Sequence, residues 1–582
     1  MMYHDEEGPS VTHVDTARTT TGTTPGSAME LLTAPGGPFP LTRRVVDGVA
    51  LEVFDRDPRT LRDAFLATAT HAGDAVVYGE ERWTFAEQWT EVLRLAHALR
   101  EQVGVRQGDR VAIAMRNYPE WIFTFWATQL LGAVTVPLNA WLKPAELAAL
   151  VADARPSVLV ADRERVAAAV EADVAALGVR TVVGVRTDDL PQGALAYADL
   201  LAAAPADAGV PDVSVDPLDP ATVLFTSGTT GRPKGAVGTH LNHAASLLNK
   251  LIRAVRVEPD GRVVMPRPGV KLVTFPFFHI AGVNTLYTSS YPGHRMVLLH
   301  KWEAAEAARL VEAEGVTELS GPPFVVQTFL DEVADGGRDV GSLTSIGLGG
   351  ASIPPHVILR VHEQFGGRVK PRTGYGLTES TSGVVAIGGP DWIARPDSVG
   401  RALPTAEVAI LDSEARVQPA GVEGEIALRG PQVITAYQHG ASADSFVGGW
   451  FRTGDLGRLD DEGYLYVSGR LKDVVIRGGE NIHCAEVEAC LTEHADVVEA
   501  AAFGRPHPTL GEELAAIVRL RPGASADADA IRAHVAARLA AFKVPARVVL
   551  TEIGLPRTAS GKILKLGIAD EMGLAEALES AG

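Results

Sequence analysis

Ten residues near the middle of the chain carry the most information: Thr226-Ser227-Gly228-Thr229-Thr230-Gly231-Arg232-Pro233-Lys234-Gly235. They follow a short apolar run over 221–225, which is typical of a buried strand. Glycines let the backbone approach an oxyanion closely, hydroxyl groups add hydrogen-bond donors, and a lysine adds a mobile positive charge. The stretch therefore predicts a strand that opens into a loop able to hold a polyphosphate.

Two common phosphate-binding patterns do not fit this loop. A Walker loop requires Gly-Lys-Ser/Thr, whereas Lys234 stands between Pro233 and Gly235. The glycine spacing also differs from that of a dinucleotide-binding fingerprint. Flexible surface loops have a similar composition, so the choice between a phosphate site and a plain linker depends on motifs elsewhere in the chain.

Length, charge and cysteine content narrow the class of protein. A chain of 582 residues is too long for a single core, so we expect at least two domains. The formal net charge of -19 argues against a general nucleic-acid binder, which needs a basic surface. Cys484 and Cys490 match neither a zinc pair nor a redox motif, and a disulfide framework is absent. With no signal-peptide pattern and no apolar run long enough to cross a bilayer, we expect a cytoplasmic protein without a transmembrane segment.

The order of apolar patterns predicts the architecture of the first two thirds of the chain. We expect residues 1–45 to be a disordered tail and linker, because segments such as 34–38 have little to bury. Further on, a buried strand over 110–115 is followed by a helical stripe over 121–130 and a second strand over 133–138. This alternation predicts a largely parallel sheet covered by helices.

The last third has a different pattern. Short alternating strands separated by turns, over 412–428 and 457–467, predict an antiparallel β subdomain. A second unit begins after Arg470, with alternating strand and helix patterns. The predicted fold class is α/β. It comprises a large N-terminal domain over 46–470, with parallel sheets, helices and a small antiparallel β subdomain, and a small α+β C-terminal domain over 471–582.

Seven further motifs follow the first loop in order. They are Thr-Phe-Pro-Phe-Phe-His-Ile-Ala-Gly (274–282), Gly-Leu-Gly-Gly-Ala (347–351), Thr-Gly-Tyr-Gly-Leu-Thr-Glu-Ser (373–380), Gly-Trp-Phe-Arg-Thr-Gly-Asp-Leu-Gly (449–457), Gly-Arg-Leu-Lys-Asp (469–473), Gly-Gly-Glu-Asn-Ile (478–482) and Pro-Arg-Thr-Ala-Ser-Gly-Lys (556–562). This ordered set closely resembles the AMP-forming adenylating superfamily, which includes acyl-CoA synthetases, stand-alone adenylation domains and beetle luciferases.

The resemblance implies a two-step reaction with ATP, Mg²⁺ and CoA. A carboxylic acid attacks the α-phosphorus of ATP to form an acyl-adenylate with release of pyrophosphate, and the acyl group then passes to CoA, giving a thioester and AMP. Both reacting groups of the first step are anionic, so the site must neutralise charge and align them. The resemblance assigns ATP, Mg²⁺ and the acid to the large domain, and implies that the small domain is mobile.

The resemblance also assigns roles to individual residues. Lys562 bridges the acyl carboxylate and the α-phosphate, and Glu379 holds Mg²⁺ together with Thr226, since this hard cation prefers oxygen ligands. Tyr375 stacks on adenine and Asp455 accepts hydrogen bonds from the ribose. The implied ATP- and AMP-binding residues are Thr226, Ser227, Gly228, Thr229, Thr230, Gly231, Lys234, Gly350, Ala351, Tyr375, Gly376, Thr378, Asp455 and Arg470.

The remaining implied roles concern the acid and the thiol. His279, counted with Lys562, Glu379 and Thr226 among the catalytic residues, lies at the entrance of the acyl pocket that Gly349 also lines; a hydrogen-bonded core histidine is the alternative. The implied hinge between the two steps is Lys472, and the tunnel that admits pantetheine is lined by Gly478 and Gly479. Cys484 replaces a proline that many relatives have, which loosens the turn there.

The sequence leaves several acceptors and acids open. The segment Phe277-Phe278-His279 lacks the aspartate that pairs with an amino-acid ammonium, so an organic acid with an apolar body, such as a fatty or aryl acid, fits better. A CoA ligase is the leading hypothesis. The alternatives are an acyl- or aryl-acid:carrier-protein ligase, which would have an acyl carrier protein as partner, a biosynthetic relative with another acceptor, and a non-catalytic nucleotide- or acyl-binding protein.

Overall fold

The computed structural model describes residues 28–226, 233–335, 337–351, 353–477, 480–557, 563–565 and 567–580. Among them, seven strands form the first sheet. In spatial order they are Lys234–Thr239, Pro220–Thr226, Val134–Pro137, Arg110–Ala114, Val158–Asp162, Thr181–Val185 and Leu195–Ala196. Every neighbouring pair except the first runs parallel. The connecting helices are Phe85–Glu101, Pro119–Leu130, Pro144–Ala154, Arg163–Glu171 and Tyr197–Ala202. The predicted alternation of buried strands and helices is confirmed.

A second, nine-stranded sheet lies in the same described part of the chain. Its strands, in spatial order, are Arg401–Ala402, Ser382–Gly388, Lys370–Leu377, Ser345–Leu348, Glu318–Gly321, Val270–Val273, Arg295–Leu298, Asp74–Tyr78 and Glu81–Thr84. Its helices are Leu61–Leu66, His240–Ala254, Ile280–Ser290, Ala304–Glu314, Pro323–Ala334, Pro355–Gln364 and Pro390–Ala394. Leu272, Leu319 and Ile346 point to one face and pack with the helices Ala304–Glu314 and Pro323–Ala334. The opposite face contacts His240–Ala254 and Ile280–Ser290.

Besides two pairs of short strands, Leu41–Val46 with Val49–Phe54 and Arg256–Val257 with Val263–Val264, the described residues form two further sheets of five strands each. An antiparallel one, which confirms the predicted β subdomain, contains Glu407–Leu411, Gly424–Arg429, Phe446–Val447, Trp450–Leu459 and Leu465–Arg470. The other contains Val474–Arg477, Glu480–His483, Val497–His507, Gly511–Leu520 and Arg547–Thr551, with helices Cys484–Thr492, Ala528–Ala536, Ile568–Glu571 and Ala575–Ser580. The α/β class with an α+β C-terminal unit is thus confirmed. The chain changes sheet between Arg470 and Val474, whereas the exact domain limits stay a prediction.

Part of the predicted disordered tail is folded, which corrects the expectation for 1–45. The helix Ala28–Thr33 precedes the strand Leu41–Val46, which pairs antiparallel with Val49–Phe54. Phe39 is fully buried, in a cluster with Leu248 and other residues of the helix His240–Ala254. The apolar residues of this segment are too scattered to give a periodic signal, so only docking on a distant helix orders them.

No helix in the described part of the chain combines the length and the apolar character needed to cross a bilayer.

Both cysteines are buried free thiols. Burial raises the pKa of Cys484 to about 12, so this thiol is protonated and unreactive at neutral pH.

Candidate active site

The two strands that flank the glycine-rich loop end side by side. Pro220–Thr226 pairs antiparallel with Lys234–Thr239, and Thr226 lies opposite Lys234. Both residues are partly exposed at this edge of the sheet. Five predicted phosphate contacts lie outside the described residues: Ser227, Gly228, Thr229, Thr230 and Gly231. The described ends of the loop therefore bring a hydroxyl and an ammonium to one place, as a polyphosphate site requires.

The ammonium of Lys234 and the carboxylate of Glu379 meet at Tyr437. Lys234 Nζ donates to the hydroxyl of Ser442 and lies 5.7 Å from the centroid of the Tyr437 ring. The Tyr437 hydroxyl donates to Glu379 Oε1 over 2.7 Å. Burial and the Glu379 carboxylate both raise the pKa of Tyr437, so the phenol stays protonated and continues to donate. Sequence analysis missed Tyr437, because it stands outside every motif.

The carboxylate of Glu379 suits a magnesium ion. Glu379 lies in a one-turn helix, Thr378–Ser380, directly after the strand Lys370–Leu377, and it is only 8% exposed. In the described residues no three His, Cys, Asp or Glu side chains cluster as a metal site. Mg²⁺ bound through one or two carboxylates plus substrate phosphates needs no such cluster. The residues present, Glu379 and the Thr226 hydroxyl, are hard oxygen donors of the kind that this ion takes.

Three predicted nucleotide-binding side chains are in direct contact. The Tyr375 hydroxyl donates to Asp455 Oδ2 over 2.7 Å, and Arg470 Nε lies 3.1 Å from Asp455 Oδ1. Asp455 and Arg470 face each other across neighbouring strands, Trp450–Leu459 and Leu465–Arg470. Burial and the adjacent carboxylate raise the pKa of Tyr375 well above its usual value. The structure thus joins residues that are 80 and 95 positions from Tyr375 along the chain.

The glycines of the nucleotide motifs follow parallel strands of the second sheet. Gly349, Gly350 and Ala351 come directly after the strand Ser345–Leu348, and Gly350 has φ +80°. A Cβ on Gly376 would lie 2.0 Å from the carbonyl oxygen of Ser382, so no larger residue fits there. Ligands of parallel sheets bind at the carboxyl ends of the strands, which is where these backbone segments lie.

His279 immediately precedes the helix Ile280–Ser290. Its ring lies 4.6 Å from that of Phe278, which in turn contacts Trp141. The Nε2 atom is buried and makes no hydrogen bond to any described residue. Burial lowers the pKa of His279 to about 4, so the imidazole is neutral near pH 7. An unpartnered buried nitrogen favours the pocket-entrance hypothesis over a hydrogen-bonded core histidine.

The predicted catalytic lysine, Lys562, lies outside the described residues, but its neighbours are placed. Arg557 and Ile563 form an antiparallel bridge. The Arg557 guanidinium lies 5.2 Å from the centroid of the Phe324 ring, at the start of the helix Pro323–Ala334. The sequence also predicts that residues around 279–286, 320–325 and 347–351 line the acyl pocket. Arg557, which precedes the segment that carries Lys562, thus lies next to one of these expected lining segments.

The predicted hinge residue lies where the chain changes sheet. Lys472 is exposed, in the single turn Leu471–Asp473 between the last two sheets. Gly478 and Gly479 lie outside the described residues, between two strands whose ends, Arg477 and Glu480, are paired. Cys484 begins the helix Cys484–Thr492 and is 2% exposed, so a proline is not required for the helix to start here.

Comparison with known proteins gives two family matches. The model described as AMP-binding enzyme matches residues 66–438, and the one described as AMP-binding enzyme C-terminal domain matches residues 486–562. Indoleacetate–CoA ligase of Aromatoleum aromaticum is 35% identical over 85% of this chain and 95% of its own length. Feruloyl-CoA synthase of an Amycolatopsis species is 34% identical over 84% and 94%.

Solved structures agree with these matches. An anthranilate CoA ligase in complex with anthranoyl-AMP superposes with a TM-score of 0.80, at 25% identity, over 89% of this chain and 98% of that one. O-succinylbenzoate coenzyme A synthetase of Bacillus subtilis, in complex with ATP and magnesium ion, has a TM-score of 0.74 at 28% identity, over 87% and 99%.

Proposed function

Because the chain belongs to the AMP-binding enzyme family, we propose that it is an acid–CoA ligase that consumes ATP and releases AMP and pyrophosphate. The observation that carries the proposal is the presence of two groups of side chains in contact. One group, Tyr375–Asp455–Arg470, suits a nucleoside. The other, Lys234–Tyr437–Glu379, suits phosphates and their metal ion.

In the first step, an oxygen of the substrate carboxylate attacks the α-phosphorus of ATP, and pyrophosphate leaves. Lys234 supplies a positive charge for the phosphates at the mouth of the glycine-rich loop. Glu379 and Thr226 would hold Mg²⁺, which neutralises phosphate charge when bound. Lys562 would bridge the attacking carboxylate and the α-phosphate, which brings two anions together.

Asp455 would hold the ribose during this step. Its carboxylate is buried and is oriented by the Tyr375 hydroxyl and Arg470. These two partners hold the Asp455 carboxylate in position before ATP binds. The backbone of 349–351 and of Gly376 would line the adenine pocket, since glycines there allow close approach.

In the second step, the thiolate of CoA attacks the acyl carbon and AMP leaves. Rotation of the C-terminal unit about Lys472 would exchange Lys562 for the segment of Gly478 and Gly479. Arg477 and Arg505 are the cations of this unit that we propose for the phosphates of CoA. They donate to the carbonyl oxygens of Phe542 and Leu578 respectively. A carrier protein is the second candidate acceptor, because it presents the same pantetheine thiol. The need for ATP and CoA, with two free thiols, supports the cytoplasm as the site of reaction.

Several relatives are named for acids with an aromatic ring, such as indoleacetate and ferulate. The aromatic residues Trp141 and Phe278 beside His279 offer a flat apolar surface near the expected pocket entrance. Both facts support an aryl or arylalkyl acid over a short aliphatic acid.

The test is acid-dependent release of pyrophosphate and AMP by the full-length protein, with a panel of aryl, fatty and short-chain acids. We expect pyrophosphate release with at least one acid, and faster AMP release when CoA is added. If no acid of the panel increased the release of pyrophosphate, the proposed function would be refuted. Acceleration by a phosphopantetheinylated carrier protein but not by CoA would replace CoA with the carrier as acceptor.

A further inference from the structure

A short segment between two strands of the antiparallel β subdomain, residues 434–442, contacts both charged groups of the candidate phosphate site. At its start, the Ile434 N–H donates to the carbonyl oxygen of Glu379 over 2.8 Å. At its end, the hydroxyl of Ser442 accepts a hydrogen bond from Lys234 Nζ. The segment therefore connects the residue expected to hold Mg²⁺ with the lysine expected to hold phosphates.

Tyr437 lies in the middle of this segment, and its backbone and ring are both held in place. Its backbone forms an antiparallel bridge with Ala236, two residues after Lys234. Its ring packs edge-to-face against Phe446, with centroids 5.9 Å apart, and the residue is only 7% exposed. Closely packed side chains occupy well-defined conformations, so the Tyr437 hydroxyl has a fixed position.

The hydroxyl of Tyr437 fixes one oxygen of the Glu379 carboxylate. It donates to Oε1 over 2.7 Å, a distance typical of a hydrogen bond to an ionised acceptor. Among the described residues, no donor contacts the other oxygen, Oε2. Because a carboxylate is planar and the backbone of Glu379 is held by Ile434, the position of Oε1 also sets the direction in which Oε2 points.

The opposite charges of Glu379 and Lys234 are neighbours but do not pair. Lys234 Nζ lies 5.7 Å from the centroid of the Tyr437 ring, and the hydroxyl of the same ring binds Glu379. In the described part of the chain, no basic side chain lies within ion-pairing distance of the Glu379 carboxylate. A buried carboxylate without a cation is costly to keep, and Glu379 is only 8% exposed. The fold thus leaves this carboxylate available for a cation that no described side chain supplies.

A purely structural hydrogen bond is the alternative, because a buried phenol needs an acceptor in any case. That need does not explain the acceptor that is used. A backbone carbonyl would satisfy the Tyr437 hydroxyl without the burial of a charge. The choice of the unpaired Glu379 carboxylate therefore favours a role at the metal site.

Resting on the proposed function, we propose that Tyr437 is a positioning residue for the metal carboxylate. Its hydroxyl holds one oxygen of Glu379 so that the other is presented to Mg²⁺, and its ring keeps the ammonium of Lys234 apart from that carboxylate. A direct ion pair would use each charge to neutralise the other. With Tyr437 in place, the carboxylate serves the metal ion and the ammonium serves the phosphates.

The experiment measures the affinity of the full-length protein for ATP by calorimetry, without any acid, once with Mg²⁺ and once with EDTA. The ratio of the two affinities is called the metal enhancement. Tyr437→Phe removes only the hydroxyl, so it should lower the metal enhancement about tenfold or more, as loss of a group that orients a metal ligand does. The affinity in EDTA should stay unchanged. In the activity assay, the Mg²⁺ concentration for half-maximal pyrophosphate release should rise to match.

Two tyrosines of the same chain are matched controls. The Tyr375 hydroxyl also donates to a carboxylate over 2.7 Å, that of Asp455. Tyr375→Phe should weaken ATP binding equally with and without Mg²⁺, and so keep the metal enhancement. The Tyr466 hydroxyl donates to Asp460 over 3.1 Å, away from the proposed site, and Tyr466→Phe should leave both affinities unchanged.

Variants of Glu379 test whether Tyr437 acts through this carboxylate. In a Glu379→Gln background the charged ligand is absent, so Tyr437→Phe should have no further effect on the metal enhancement. Glu379→Asp keeps the charge but draws it away from the hydroxyl, and should lower the metal enhancement as well. This second variant tests the same contact if Tyr437→Phe fails to fold, which thermal unfolding without ligand reveals.

The possible outcomes separate the inference from the proposed function. A wild-type metal enhancement in folded Tyr437→Phe would overturn the inference and leave the proposed function intact. Equal loss of ATP affinity with and without Mg²⁺ would also overturn it, because the hydroxyl would then serve the nucleotide pocket as a whole. Wild-type protein that binds no ATP under either condition, and releases no pyrophosphate with any acid, would refute the proposed function itself.

Discussion

Replacing Asp455 with Ala tests the nucleotide site most directly. Asp455 is 6% exposed, so solvent hardly screens its interactions. The proposed function has this carboxylate accept hydrogen bonds from the ribose hydroxyls of ATP. A hydrogen bond to a charged group contributes about 1.5–3 kcal/mol, and about 1.4 kcal/mol corresponds to a tenfold change in affinity. We therefore expect the KM for ATP to rise at least about tenfold.

The same substitution should also lower the stability of the protein, and the two effects can be separated. Without Asp455, the buried hydroxyl of Tyr375 loses its acceptor, which costs about 1–3 kcal/mol. Arg470 is 40% exposed, so its ion pair adds less than about 1 kcal/mol. In a Tyr375→Phe background the hydroxyl is absent, so Asp455→Ala should lower the Tm less while raising the KM for ATP as before.

The assay is pyrophosphate release at saturating acid, with ATP varied, alongside thermal unfolding. Asp461→Ala is the matched control, an exposed aspartate in the turn between the same two strands, and it should leave both readouts unchanged. An unchanged KM for ATP in Asp455→Ala, with only a lower Tm, would show that Asp455 serves the turn and its ion pair rather than the ribose.

Two further predictions address the two half-reactions. Lys562→Ala should abolish acyl-adenylate formation but still allow preformed acyl-adenylate to react with CoA; equal loss of both steps would contradict its role. Lys472→Pro fixes the backbone of the turn Leu471–Asp473, so pyrophosphate exchange should stay near normal while thioester formation falls severely, and loss of both would indicate a damaged fold.

Much of the site was predictable because the residues that carry its chemistry are consecutive in the sequence. The loop at 226–235 combines glycines, hydroxyls and a lysine within ten positions, so the phosphate chemistry needs no long-range information. The strand before it and the helix Pro119–Leu130 follow from apolar periodicity, which reflects the repeat of each backbone conformation. The order of the motifs along the chain indicated the family, which the comparisons confirm.

Tertiary packing decided what lies beside these motifs. Tyr437 meets Glu379 across 58 positions of sequence, and nothing local to Tyr437 distinguishes it from an ordinary buried tyrosine. The helix Ala28–Thr33 and the residues after it are ordered by docking on the helix His240–Ala254, more than two hundred positions away. The surroundings of such residues are formed by an element that is distant in the sequence, so the residues next to them in the chain do not reveal these contacts.

The ion pairs of Glu318 with Lys271 and Arg372 show the same division most clearly. Each of Lys250, Lys271 and Arg372 stands alone in the sequence, where a single basic residue predicts only a solvated surface side chain. Strand register aligns Lys271 with Glu318, and the helix His240–Ala254 brings Lys250 to Asn284 and Ser382. By itself the sequence determined the local elements and the chemistry of adenylation. Sheet register and helix packing determined which of these side chains meet, because they alone set the distances between side chains far apart in the chain.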